Sequence, residues 1–195
     1  VLRHDIAAEV RLMEVVHHVG GAAAAGQPRV PHVVVGVQEM DPVVLHGYTS
    51  AQGDAIVRKQ IADNLNSRFA TSYRPENLYM TVGAAASLCC CLNGLCNPGD
   101  EVIVFAPFFP EYRVFIEGAG ATMKLIPADI EAFQIDFAAF EAAISEKTKA
   151  VIVNSPNNPS GTIYSEDTVK KLASILEESS SKYGQPIFLL ADEPY

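Results

Sequence analysis

Residues 154–195 contain the groups of this chain best suited to grip a small polar ligand: Asn154, Asn158, Asp192 and Tyr195. The asparagines lie in the run Asn-Ser-Pro-Asn-Asn-Pro-Ser-Gly at 154–161, directly after the apolar stretch 150–153. Asp192 and Tyr195 follow a second apolar stretch, 187–191. Both stretches read as buried parallel strands, and two polar strand ends joined by one amphipathic crossover are how an α/β fold builds a ligand crevice. A carboxylate at the end of a buried strand is costly unless it meets a cation, or a nitrogen that it keeps protonated. Asp192 is therefore either a ligand group or a structural cap for a following helix. Tyr195, three positions on, can present its phenol to the same ligand. The two X-Pro bonds of 154–161 predict a rigid turn containing cis peptides, from which Asn154 and Asn158 can aim amide donors into the crevice.

Two upstream segments have the chemistry to join such a site. Gly83, Ala84 and Ala85 follow an apolar run at 78–82 and open a helix. The first amides of a helix lack intrahelical partners and, with the helix dipole, suit a phosphate. Simple close packing of small residues explains the same turn equally well. Phe108 and Phe109 follow the run 101–105 and offer a flat face for a planar ring, or serve as ordinary core aromatics.

Alternating apolar runs and helical periodicities position these groups. Strands are expected at 31–37, 78–82, 101–105, 121–126, 150–153 and 187–191. Helices are expected at 54–69 (with Asp54 as its cap), 84–95, 112–117, 136–144 and 166–179, and a weaker helical pattern covers 5–19. This alternation predicts an α/β fold with a mostly parallel sheet and right-handed crossovers.

The net charge of −9 over 195 residues argues against a nucleic-acid or anionic-membrane surface. No apolar run reaches the roughly 18 residues needed to cross a bilayer, and the first residues lack the pattern of a signal peptide. Cys89, Cys90, Cys91 and Cys96 share one expected helix, where neighbours point about 100° apart. They cannot converge on one metal and read as small thiols in a reducing cytosol. His17, His18, His32 and His46 have no metal-like spacing. A Gly-x-Ser-x-Gly elbow is absent, and so is the dinucleotide fingerprint Gly-x-Gly-x-x-Gly.

Taken together, Gly83 to Ser87, Ala106 to Tyr112, Asn154 to Gly161 and Asp192 to Tyr195 resemble the fold type I pyridoxal-phosphate-dependent aminotransferases of the aspartate aminotransferase class. The most specific part is Asn158-Pro-Ser-Gly161 paired with Asp192-Glu-Pro-Tyr195. The resemblance implies a three-layer large domain over 46–195, with 1–45 as a linker and part of a small domain. It implies pyridoxal 5′-phosphate as cofactor. Asn158 and Tyr195 would contact the ring hydroxyl, Asp192 the ring nitrogen, Phe109 the ring face, and Gly83, Ala84 and Ala85 the phosphate. Tyr48 resembles a tyrosine that reaches the neighbouring subunit's phosphate, which implies a homodimer. Gly36 and Asn154 would lie near the substrate. The implied reaction moves an amino group between an amino acid and a 2-oxo acid in the cytoplasm. A carbon–sulfur β-lyase on the same cofactor and a non-catalytic binding module of the same fold are the alternatives. The family's Schiff-base lysine and substrate-carboxylate arginine are expected beyond Tyr195. Lys59, Lys124, Lys147, Lys149, Lys170, Lys171 and Lys182, and Arg58, Arg68, Arg74 and Arg113, read as solvent-facing.

Overall fold

The computed structural model describes residues 12–16, 47–128 and 133–194. Backbone contacts divide the chain into two compact units, 1–18 with 81–195, and 19–80. The sequence expectation of 1–45 against 46–195 concerns domain membership, and the compact units are drawn along different lines. Gly36 and the expected strand 31–37 lie outside the described residues, as does Tyr195.

The first unit is built on a sheet of strands β1 (Leu12–Val16), β2 (Glu101–Phe105), β3 (Thr122–Ile126), β4 (Thr148–Asn154) and β5 (Phe188–Glu193). Their order across the sheet is β1-β5-β4-β2-β3, with every neighbouring pair parallel. Helices α2 (Ala84–Leu95) and α3 (Glu111–Gly118) connect to its strands, as do α4 (Phe137–Ala143) and α5 (Glu166–Tyr183).

The period of two along each strand separates two cores. Val102 and Val104 of β2, Ala150 and Ile152 of β4 and Leu190 of β5 pack with Leu88, Leu92, Tyr112 and Ile116 of α2 and α3. Their neighbours Ile103, Phe105, Val151, Val153 and Leu189 pack with Phe140 of α4 and with Val169, Leu172 and Leu176 of α5. Apolar residues at consecutive strand positions are therefore buried on opposite faces. This is why β2 and β4 read as continuous apolar runs, and it yields the expected three layers. Burying Leu172 and Leu176 contributes about 1.5–3 kcal/mol each, and Leu176→Ala would cost about 2–5 kcal/mol because a cavity remains.

Local sequence sets the helix ends. Ser165 caps α5 by accepting the Thr168 N–H at 3.1 Å, and Gly184 ends it with φ 66°. Asp136 caps α4 through Ala139 N–H at 3.0 Å.

Two sequence expectations are overturned. The helical pattern over 5–19 gives way at Leu12–Val16 to a strand in parallel register with β5, Leu12 opposite Leu189 and Val16 opposite Glu193. A weak amphipathic period cannot compete with a ladder offered by an existing strand edge, because strand preference is mostly set by tertiary context. The apolar run 78–82 forms no strand; Tyr79 is 67% exposed and Val82 95%. Its β-branched and aromatic residues suit a sheet, but among the described residues no strand pairs with it.

In the second unit, α1 (Ala55–Phe69) starts at Asp54, which accepts hydrogen bonds from Ile56 N–H at 2.8 Å and Val57 N–H at 3.0 Å. Arg58 corrects another expectation: it is buried, donating to the carbonyls of Pro75 at 2.6 Å and Gly53 at 3.3 Å. A guanidinium whose donors meet carbonyls can be buried as a fastener. Arg68, Arg74 and Arg113 are exposed as expected.

Candidate functional site

The carboxyl ends of β4 and β5, the loop after β2 and the start of α2 surround a cleft of about 280 Å³. Gly83, Ala84, Ala85 and Phe109 line it. Asn154, Asn158 and Asp192 complete the polar part of its wall. Seven residues singled out for their chemistry in sequence segments more than 100 positions apart are thus brought to one place.

Gly83 turns the chain into α2 with φ 96° and ψ 168°. That backbone conformation favours glycine, and no side chain caps the helix start. Thr81 stands beside it, donating to the Gly83 carbonyl at 3.0 Å and hydrogen-bonded to the Ser87 hydroxyl. The positive end of the α2 dipole therefore opens on the cleft, as an anion site requires.

Across the cleft, Asp192 is buried near the end of β5 and accepts a hydrogen bond at Oδ2 from the hydroxyl of Tyr112. Phe109 lines the cleft three residues before Tyr112, and their rings meet edge to face at 5.6 Å with an interplanar angle of 74°. The Tyr112 N–H also donates to the Phe109 carbonyl at 3.0 Å.

The loop after β4 is held from within. Asn154 Nδ2 donates to the Asp192 backbone carbonyl at 2.8 Å, and its Oδ1 accepts the Asn158 N–H at 2.6 Å. Its amide thus joins the ends of β4 and β5 and fixes where Asn158 begins. Asn157 is also buried and donates to the Pro107 carbonyl at 3.0 Å. Its Oδ1 accepts from the Ser160 N–H at 3.1 Å and hydroxyl at 2.7 Å. Through Asn157 the loop bearing Asn158 is tied to the loop bearing Phe109. Both Ser155–Pro156 and Asn158–Pro159 are cis, as expected of this turn, and Ala106–Pro107 is cis as well.

Sequence reasoning missed Tyr112 and Asn157 as site residues. Tyr112 was legible only as the start of a helix, since nothing local shows that its hydroxyl meets a residue 80 positions later. Asn157 sits between two asparagines that seemed better placed. The available signal was the density of constrained polar residues in 154–161, which a plain surface turn has no need of.

Tyr48 lies in the second compact unit and is fully exposed. Lys59, Lys147, Lys170, Lys171 and Lys182 are exposed as expected, but Lys124 and Lys149 are half-buried; Lys124 pairs with Glu101 at 2.9 Å and donates to the Ala143 carbonyl at 3.2 Å. Among the described residues no group of His, Cys, Asp and Glu side chains is arranged to hold a metal ion. None of the described helices is long and apolar enough to cross a membrane.

The cleft's groups suit a flat, phosphorylated heterocycle with a basic nitrogen. Such a molecule needs a helix terminus for its anion, an aromatic face, an amide donor and a buried carboxylate, and all four are present.

Comparison with known proteins covers the same part of the chain. The family model for class I and II aminotransferases matches 22–195. An aminotransferase crystal structure from Eubacterium rectale is 56% identical with a TM-score of 0.78, covering 82% of this chain and 40% of its own. The aspartate aminotransferase structure of Thermotoga maritima is 32% identical with a TM-score of 0.68, covering 74% of this chain and 37% of its own. The aspartate aminotransferase of Sulfurisphaera tokodaii is 34% identical over 152 residues, 76% of this chain and 36% of that protein. The chain spans roughly two fifths of the length of the curated relatives it matches.

Proposed function

The chain belongs to the class I and II aminotransferase family, and from that premise we propose that its cleft holds pyridoxal 5′-phosphate and serves amino-group transfer between an amino acid and a 2-oxo acid. The observation that carries this reading is the buried Asp192 carboxylate in one cleft with an uncapped helix start and the Phe109 ring. The names of relatives such as the Sulfurisphaera and Thermotoga aspartate aminotransferases support an amino acid substrate.

When bound, the cofactor supplies a protonated pyridine that withdraws electrons from the substrate's α-carbon. The role of Asp192 is to keep the proton on the ring nitrogen, because its buried carboxylate is best satisfied by a positive partner. The backbone amides at Gly83, Ala84 and Ala85 anchor the phosphate with the help of the α2 dipole. The face of Phe109 stacks on the ring and excludes water from it. Asn158 donates to the ring hydroxyl, and Tyr195 is assigned to the same hydroxyl by its place in the motif. Asn154 serves this site as a brace more than as a direct substrate contact, since both ends of its amide are engaged within the protein. Gly36 near the substrate, Tyr48 reaching a partner subunit's phosphate, a homodimer and a cytoplasmic location complete the proposal by family resemblance.

The test is spectroscopic and enzymatic, on the protein expressed from its whole gene. Added pyridoxal 5′-phosphate should give a borohydride-sensitive band at the edge of the visible, and an amino acid with 2-oxoglutarate should yield glutamate. Absence of both the band and any cofactor affinity would refute the reading. Pyruvate and ammonia released without an acceptor would move the protein to the β-lyases.

A further inference from the structure

Tyr112 is the residue of the cleft region that its proposed chemistry leaves without a task. It is 1% exposed and lies in the first turn of α3. Its hydroxyl donates to Asp192 Oδ2, its N–H to the Phe109 carbonyl, and its ring meets the edge of the Phe109 ring. One side chain thus touches both the carboxylate and the aromatic that would address the same bound ring. Filling the volume at 112 requires only a phenyl group. The hydroxyl is therefore an added polar group in a position where an unmatched one would be costly.

A carboxylate on a short side chain turns about its last bond unless something holds it. A hydrogen bond on one oxygen, from a residue whose ring is packed on all sides, fixes the plane of that carboxylate. We propose that Tyr112 is a positioning residue that acts through Asp192, holding its carboxylate in the plane of a heterocycle stacked on Phe109. The proposal rests on the reading of the cleft as a pyridoxal-phosphate site. Tyr112 touches neither substrate nor cofactor in this role. It sets the angle at which Asp192 meets the ring nitrogen.

The test measures affinity for two ligands that cannot react, using the protein expressed from its whole gene. One is pyridoxine 5′-phosphate, and the other is its 1-deaza analogue, in which a C–H replaces the ring nitrogen. Tyr112→Phe should weaken pyridoxine 5′-phosphate about tenfold, the scale of one hydrogen bond to a charged group. It should weaken the deaza analogue less than twofold, because Asp192 has no nitrogen to meet there. The difference is a coupling that a packing defect cannot produce. Equal losses for the two ligands would assign Tyr112 a structural role only, and no loss for either would remove it from the site; both results overturn the proposal. Failure of the unaltered protein to bind pyridoxine 5′-phosphate would instead overturn the cofactor reading on which the proposal stands. Thermal melting without ligand checks that Tyr112→Phe is folded.

Discussion

The two ends of the same parallel strands are finished in opposite ways. At the amino ends of β2 and β4, charge is matched internally. Glu101 meets Lys124 at 2.9 Å and the Ser145 hydroxyl at 2.6 Å, while Thr148 Oγ1 accepts the Ser145 N–H at 2.9 Å. At the carboxyl ends of β4 and β5, polar groups are buried around a cleft, and Asp192 takes its hydrogen bond from a neutral hydroxyl. One end meets its carboxylate with a lysine from the next strand, and the other has a carboxylate in the wall of the cleft. The carboxylate at the first end is therefore expected to act on stability alone, and the one at the second on binding.

The largest expected effect is at the cleft. Asp192→Asn keeps the shape and removes the charge. It should weaken pyridoxine 5′-phosphate about 100-fold, the upper scale for a charged hydrogen bond, while thermal melting of the ligand-free protein changes little. A large loss of melting temperature with unchanged affinity would erase the contrast between the two ends.

Asn157→Ala tests the brace beside that carboxylate. It leaves the Pro107 carbonyl and the Ser160 donors without their partner. Urea unfolding should show a loss of about 2 kcal/mol, accompanied by weaker cofactor binding because the loops of Phe109 and Asn158 part company. Weaker binding with unaltered stability would show that the two loops are held by other means.

At the opposite end the effect is smaller and depends on pH. Burial alone would raise the Glu101 pKa, but the Ser145 hydroxyl and the Lys124 ammonium outweigh it and hold the carboxyl below its ordinary 4.5. A depressed carboxyl contributes stability above its unfolded pKa and loses it as pH falls through the lower folded value. Glu101→Gln should cost about 0.5–1 kcal/mol at pH 7, with no effect on cofactor affinity. The gap from the unaltered protein should close below pH 4.5. A gap that does not narrow as pH falls below 4.5 would mean that packing, and not charge, was lost.

The smallest effect appears only in alkali. Burial pushes the Tyr164 phenol up from 10 to about 12. Its contribution is intact below pH 10 and declines as pH rises toward 12, since folding opposes ionisation. Alkaline unfolding of Tyr164→Phe, followed by circular dichroism, should be less steep in that window and indistinguishable from the unaltered protein at pH 8. Equal steepness in both proteins would place the phenol in water.

Much of the site was legible because its chemistry is local. The turn at Gly83, the asparagine–proline loop and the carboxylate after an apolar run each carry their signal within a few residues, and all three reach the cleft. Boundaries of α2 and β2 were legible for the same reason: Gly83 and Pro98 bracket the helix, and four consecutive apolar residues mark a strand covered on both faces. Tyr112, Asn157 and Arg58 were not legible, because their roles are defined by partners 17 to 80 positions away. The runs at 12–16 and 78–82 show the same limit from the other side. The first reads as part of a helix yet pairs as a strand beside β5, and the second reads as a strand yet pairs with none among the described residues.

The sequence by itself determined the α/β alternation, the family that its motifs resemble, and most residues that line the cleft. Periodicity, turn residues and strand-end polarity are properties of short segments, and they survive without knowledge of the rest of the chain. Only the tertiary structure decided which strands pair, that both ends of the Asn154 amide are engaged within the protein, and that a buried tyrosine donates to Asp192. Those outcomes depend on distances between segments far apart in the chain. Such distances are set by packing on the two faces of the sheet, and no single segment encodes them.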